Sequence, residues 1–289
     1  MISGYIAQDR PKKYEKIVSM WFQVLFYSLF ITGVFIFLGI YKNPSIKQLL
    51  MCALPITFKQ YWYFTAYFAL FFVTPILNKY LFSLDEISSK KVLLILVGLF
   101  SCLGVIYDPF ESKWGYSAIW ILVLYCIGVL AKRGNIFSKK KSLSLIMLWI
   151  LCVISTWAVH VIIGTERLTN YISPTILLSG LLMVILFSRL KLKGTIIKRF
   201  SLLTFGIYLF QLNVVWNILI KDAFTFVVDE NIFIGVLYIF GFASMIFVSG
   251  LVVEWIRVKL AIILKIDELS KKIAFIIDAL LGKAVALLN

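Results

Sequence analysis

The chain has 289 residues, 62% of them hydrophobic and 16% aromatic, with a mean hydropathy of +0.97. Soluble domains are about half apolar, so this composition excludes a water-soluble fold and implies an integral membrane protein. A net charge of +15 would suggest nucleic acid in a soluble domain, but here Lys and Arg fall between apolar runs, as membrane topology signals do. Nucleic-acid binding is not expected.

The first 16 residues are polar and basic, without the apolar core of a signal peptide. Eight apolar runs follow, at about 17–40, 61–82, 92–107, 116–131, 143–163, 172–189, 201–220 and 232–253. They predict an all-α polytopic bundle of about eight transmembrane helices. In the second run Tyr63, Tyr67, Thr74 and Asn78 share one narrow arc, a polar face open to interhelical bonding or to substrate. The third and fourth runs are near the lower length for a crossing, which suggests tilted or partly re-entrant segments. Tyr116, Ser117, Trp120 and Tyr125 of the fourth fit either an aromatic belt or a sugar-stacking surface.

The fifth run ends near His160, the only histidine, with Glu166 and Arg167 just beyond. A lone interfacial imidazole is usually structural, and His160 is a candidate general base only on that qualification. The seventh run carries Thr204, Tyr208 and Gln211 along one stripe, with Asn213 and Asn217 on other faces. Residues 256–289 mix apolar positions with Lys and Asp at helical spacing, as an amphipathic helix on the inner leaflet does. Asp278 and Lys283 argue against a ninth crossing. Residues 1–255 therefore read as one transmembrane domain and 256–289 as its tail.

Placing both termini in the cytoplasm puts 23 of the 29 Lys and Arg on that side. With these boundaries no Asp, Glu, Lys or Arg lies mid-span, which disfavours proton-coupled transport. Cys52, Cys102, Cys126 and Cys152 show no metal-binding or disulfide spacing and read as packing residues, so no metal is expected.

Five segments in order resemble the integral-membrane acyltransferase-3 family, whose bacterial members acylate surface polysaccharides. Ser3-Gly4-Tyr5 is similar to the end of the family's second span, and Arg10, Lys12 and Lys13 to the basic loop after it. YWYFTAYFALFFVTPILNKYL resembles its tryptophan-rich span, and GYSAIWILVLYCIGVLAKR, ISPTILLSGLLMVILF and FSLLTFGIYLFQLNVVW match later spans. The resemblance implies a multi-pass protein of the bacterial plasma membrane that moves an acetyl or other acyl group to a sugar hydroxyl. Acetyl-CoA or another acyl-CoA would be donor substrate rather than bound cofactor, and a glycan or lipid-linked sugar the acceptor. It further implies donor contacts at Ser3, Gly4, Arg10, Lys12 and Lys13, and acceptor contacts at Trp62, Tyr63, Tyr67, Tyr208 and Gln211. The family's first span, with its Arg and catalytic His, has no counterpart in this chain, and Gln211 stands where relatives often carry His. A basic loop that only sets topology, and a non-catalytic transporter or glycan-export subunit, are the competing readings.

The charge pattern predicts opposite sides for the loops at Ser138 and Glu166. In a cysteine-free background, Glu166→Cys should react with a membrane-impermeant maleimide on intact cells, and Ser138→Cys only after permeabilisation. The reverse pattern would invert the orientation.

Overall fold

A computed structural model of the chain describes residues 1–8, 13–190, 194–213 and 231–287. Among these residues every regular element is a helix, as lipid requires of a chain that must satisfy its backbone groups within each segment. The helices are α1 (Ile2–Tyr5), α2 (Tyr14–Phe37), α3 (Ile46–Ala53), α4 (Trp62–Leu81), α5 (Glu86–Val97), α6 (Gly104–Tyr107), α7 (Ala118–Arg133), α8 (Ser142–Ile163), α9 (Pro174–Arg189), α10 (Thr195–Gln211), α11 (Ile232–Ile263) and α12 (Ile266–Leu287). Six spans among the described residues are long and apolar enough to cross a bilayer: Tyr14–Phe37, Trp62–Leu81, Glu86–Tyr107, Ser142–Ile163, Arg167–Arg189 and Ile232–Ile263. The chain is thus a polytopic helical protein. Helix α7 is shorter, at 16 residues, and residues 214–220 of the seventh predicted run lie outside the described residues.

The chain divides into two units, Met1–Lys12 with Tyr63–Leu192 and Lys13–Trp62 with Lys193–Asn289. In the first, α7 is the most enclosed helix, with Trp120, Val123 and Ile127 packed against Ile172 and Leu177. Its start is fixed by Ser117, whose side chain accepts from the Trp120 N–H at 3.1 Å. Helix α1 crosses α7 at two glycines. A Cβ on Gly4 would stand 2.0 Å from the Tyr125 carbonyl oxygen, and one on Gly128 2.2 Å from that of Met1. Asn78 of α4 joins the same helix, its Oδ1 accepting from the Tyr125 hydroxyl at 2.6 Å. The Thr-Pro pair in α4 also has a local reason. Pro75 has no N–H for the Phe71 carbonyl four residues back, and the Thr74 hydroxyl donates to that carbonyl at 2.8 Å instead.

The third predicted run is corrected by the structure. It is not a short segment of residues 92–107 but a continuous span of 22 residues from Glu86 to Tyr107. Asp85 caps its start by accepting from the Ser88 N–H at 3.0 Å, and the Lys90–Glu86 ion pair of 2.6 Å lies in its opening turns. Hydrogen bonding from Ser88 holds the Asp85 carboxyl below the usual carboxylate range. Midway, residues Gly98–Leu103 form a π-helical turn whose buried Ser101 hydroxyl donates to the Ile172 carbonyl at 2.5 Å. Helix α8 buries only Leu145 and Cys152 and offers most of its surface to lipid.

The second unit is organised on α2. Its buried positions Val24, Tyr27, Ser28, Ile31, Thr32 and Phe35 follow the helical repeat, and α3, α10 and α12 pack against it. Helix α11 runs ten residues beyond the predicted end of the eighth run, reaching Ile263. The chain turns at Lys265, which has φ +50°, before α12 begins.

The glycine crossing sets a stability expectation. Gly128→Ala and Gly4→Ala should each destabilise the protein by about 1–3 kcal/mol of overpacking, read as a lower thermal midpoint in detergent. Gly180→Ala of α9, whose Cβ meets nothing within 4 Å, should leave it unchanged. Equal melting of all three would show that α1 does not seat on α7.

Candidate functional site

The second unit encloses a carboxylate. Glu254 of α11 is 0% exposed, although the sequence pattern placed no ionisable residue inside a span. That expectation is corrected because α11 continues through Glu254 and Arg257 rather than ending before them. Arg257, one turn on, donates from Nη2 to Glu254 Oε1 at 2.7 Å and from Nε to Oε2 at 2.9 Å. From α2, the Tyr27 hydroxyl donates to Oε2 at 2.8 Å and Gln23 Nε2 reaches Oε1 at 3.1 Å. A carboxylate removed from water survives only when its oxygens are taken up in this way.

Helix α10 closes the site with a residue that has no side chain. A Cβ on Gly206 would lie 2.3 Å from Glu254 Oε2 and 2.7 Å from the Tyr27 hydroxyl. The Phe205-Gly206-Ile207-Tyr208 sequence therefore provides the notch into which the carboxylate fits. Gly250 repeats the device, its missing Cβ lying 3.3 Å from Ile207 and letting α10 and α11 approach closely. Asn213, just past α10, donates to the Tyr61 hydroxyl at 3.1 Å and to the Tyr27 carbonyl at 3.3 Å, which extends the polar network.

Helix counting places the network well below the helix ends. Gln23 follows the start of α2 by nine residues, Gly206 that of α10 by eleven, and Glu254 precedes the end of α11 by nine. At ~1.5 Å per residue each is ~14–17 Å along its helix from that end. Beside the network lies a cavity of about 410 Å³, lined by Gln23 and Arg257 together with apolar side chains that include Phe22, Phe26 and Leu260. Two polar groups on an apolar wall are the arrangement of a ligand pocket.

The residues singled out from sequence distribute differently. Ser3 is half-buried and Gly4 buried in α1, Lys13 is exposed at the start of α2, and Arg10 and Lys12 lie outside the described residues. Tyr63 is 41% exposed near the start of α4, where Trp62 and Tyr67 are half-buried. The buried part of that helix's predicted polar face is Thr74 and Asn78. Tyr208 is half-buried, its ring stacked 6.0 Å from that of Phe205, and Gln211 is exposed at the end of α10. Trp62, Tyr208 and Gln211 belong to the second unit, Tyr63 and Tyr67 to the first. His160 is exposed in the last turn of α8, its Nδ1 3.4 Å from the Thr165 carbonyl oxygen. Among the described residues no carboxylate forms an ion pair with it. Residue grouping from sequence missed Gln23, Tyr27, Glu254 and Arg257. The signal was an acid and a base three residues apart inside an unbroken apolar pattern.

Helices built to cross a bilayer around a buried ion pair and an adjoining apolar cavity define a membrane protein with an internal polar site. The family model described as an acyltransferase domain matches residues 1–254, and the chain belongs to that acyltransferase-3 family of membrane acyltransferases. No curated protein and no solved structure matches it.

The ion pair predicts asymmetric mutational costs. Arg257→Ala should destabilise by about 3–5 kcal/mol, because the Glu254 charge stays buried, and Glu254→Ala should cost less, because the Arg257 side chain keeps 19% of its exposure. The double variant Glu254→Leu/Arg257→Met should recover much of that loss in detergent melting. Additive losses would show that the two charges are solvated independently.

Proposed function

We propose that the chain transfers an acetyl or longer acyl group from acyl-CoA to a hydroxyl of a cell-surface or exopolysaccharide sugar, in the plasma membrane of a bacterium. Membership of the acyltransferase-3 family over residues 1–254 is the observation that carries this reading. The sugar oxygen attacks the thioester carbonyl carbon and the carbon–sulfur bond breaks. CoA leaves as the thiol, with the proton given up by the hydroxyl. Arg10, Lys12 and Lys13 supply charge for the CoA phosphates, with Ser3 and Gly4 as the other donor contacts. Trp62, Tyr63, Tyr67, Tyr208 and Gln211 provide the stacking faces and hydrogen-bonding groups that a sugar needs. The apolar cavity beside Gln23 and Arg257 suits the acyl part of the donor. We further propose eight crossings with both ends on the inner face and, since α11 runs on to Ile263, the part of the 256–289 tail from Ile266 onward along that face.

A transporter or glycan-export subunit is the second reading, and the buried Glu254 is the observation that favours it. An ionisable residue within a span is a mark of ion and proton pathways. Its oxygens are, however, occupied by Arg257, Tyr27 and Gln23, which leaves acyl transfer as the better account.

Purified protein in nanodiscs, given acetyl-CoA or a medium-chain acyl-CoA and the host's surface glycan, should release free thiol in proportion to ester formed on the sugar. His160→Ala should keep that rate, and loss of thiol release in this variant would make His160 the base. Glycan movement across proteoliposomes without any acyl donor, and no ester formed, would replace this function with transport.

A further inference from the structure

The first unit contains a second cavity, of about 720 Å³, between α5, α7 and α9 and independent of the acyl-transfer reading. Its two ends differ in chemistry. One end is ringed by Glu86, Lys90, Asn135, Ser138, Lys139 and Lys140, whereas the walls below are Leu93, Leu94, Val97, Ile127, Leu177 and Leu181.

The basic end is held in place. Arg189 donates to the Lys140 carbonyl at 2.8 Å and to the Phe137 carbonyl at 2.7 Å, tying the loop after α7 to the end of α9. Asn135 Nδ2 donates to Glu86 Oε2 at 3.1 Å, and Arg133 donates to the Leu84 carbonyl. The only rim carboxylate, Glu86, is committed to Lys90 and Asn135. Among the described residues Lys139 and Lys140 form no ion pair within 4 Å, and although Lys139 also faces Glu86 electrostatically, the rim sets three lysines against one carboxylate.

The dimensions select the occupant. From Glu86 to Val97 the groove follows α5 for eleven residues, ~16 Å at ~1.5 Å per residue, which is about the depth of one leaflet. It ends at Val97, directly before the π-helical turn that Ser101 fixes to the Ile172 carbonyl. Leu94 is 68% exposed, so the wall is open sideways to lipid. An anion at the top with one chain below, entering from the side, has the form of a membrane lipid.

We infer that this groove binds one anionic phospholipid of the adjoining leaflet, its phosphate against Lys139 and Lys140 and one acyl chain along Leu93, Val97 and Leu181. Two contacts to an anionic headgroup correspond to a roughly thirty-fold preference over a zwitterionic one.

Native mass spectrometry of the full chain, released from detergent with equal phosphatidylglycerol and phosphatidylcholine, tests the site. The wild type should retain a single phosphatidylglycerol with that preference, and Lys139→Gln/Lys140→Gln should lose it. Lys139→Arg/Lys140→Arg should restore it, which separates charge from misfolding. Leu181→Trp should exclude the lipid by filling the groove. Equal retention of both lipids by the wild type overturns the inference. So does displacement of phosphatidylglycerol by millimolar inorganic phosphate, which would make the rim a free-anion site, or by acyl-CoA, which would make the groove a donor site.

Discussion

Desolvation of the Glu254 carboxylate constrains the second unit more than any other feature. A carboxylate this deep would be prohibitively unstable unless each oxygen found donors, and the donors come from two helices distant in sequence, Gln23 and Tyr27 on α2 and Arg257 on α11. Their convergence dictates which faces of α2 and α11 turn inward. It also dictates Gly206, since any side chain there would occupy the carboxylate's place. The short spacing of α10 and α11 at Gly250 then follows from the same requirement, because α10 must come close enough to seal the site.

The first unit solves its polar problems locally. Pro75 leaves the Phe71 carbonyl without its helical donor, and the neighbouring Thr74 hydroxyl supplies one. Asn78 and Tyr125 satisfy each other across α4 and α7, where an unpaired amide in lipid would be costly. Close backbone approach at Gly4 and Gly128 replaces the hydrophobic drive that lipid surroundings remove. The two units thus differ in kind. One is held by a buried ion pair, the other by small residues and single hydrogen bonds.

Much of this architecture was legible in the chain. The apolar runs at Tyr14–Phe37, Trp62–Leu81, Ser142–Ile163 and Pro174–Arg189 lie within a few residues of their helices, because hydropathy and length are direct consequences of bilayer thickness. The start of α5 was not, since Glu86, Lys90 and Lys91 read as loop until the ion pair and the Asp85 cap make them a helical turn. Glu254 was hidden by the same habit of ending a span at its first charge. Leu251, Val252 and Val253 before it and Ile256 and Val258 after it continue the apolar pattern, and Arg257 at three residues' distance was the visible partner. The contact of α1 with α7 had no local signal at all, for a glycine's neighbour across more than a hundred residues is not written in its own segment.

The saturation of Glu254 also bears on what the site can do chemically. A carboxylate that accepts from Arg257, Tyr27 and Gln23 at once has no lone pair left for a substrate proton, so it is a positioning group rather than a base. What it positions is Arg257. That side chain lines the neighbouring cavity while two of its donors are held by the carboxylate, and the planar fork leaves its other N–H groups for an oxygen-bearing ligand. Neutralised as a pair, the two charges can be carried away from bulk water. The guanidinium thereby offers hydrogen bonds at the edge of an apolar cavity, where a lone cation would not be tolerated.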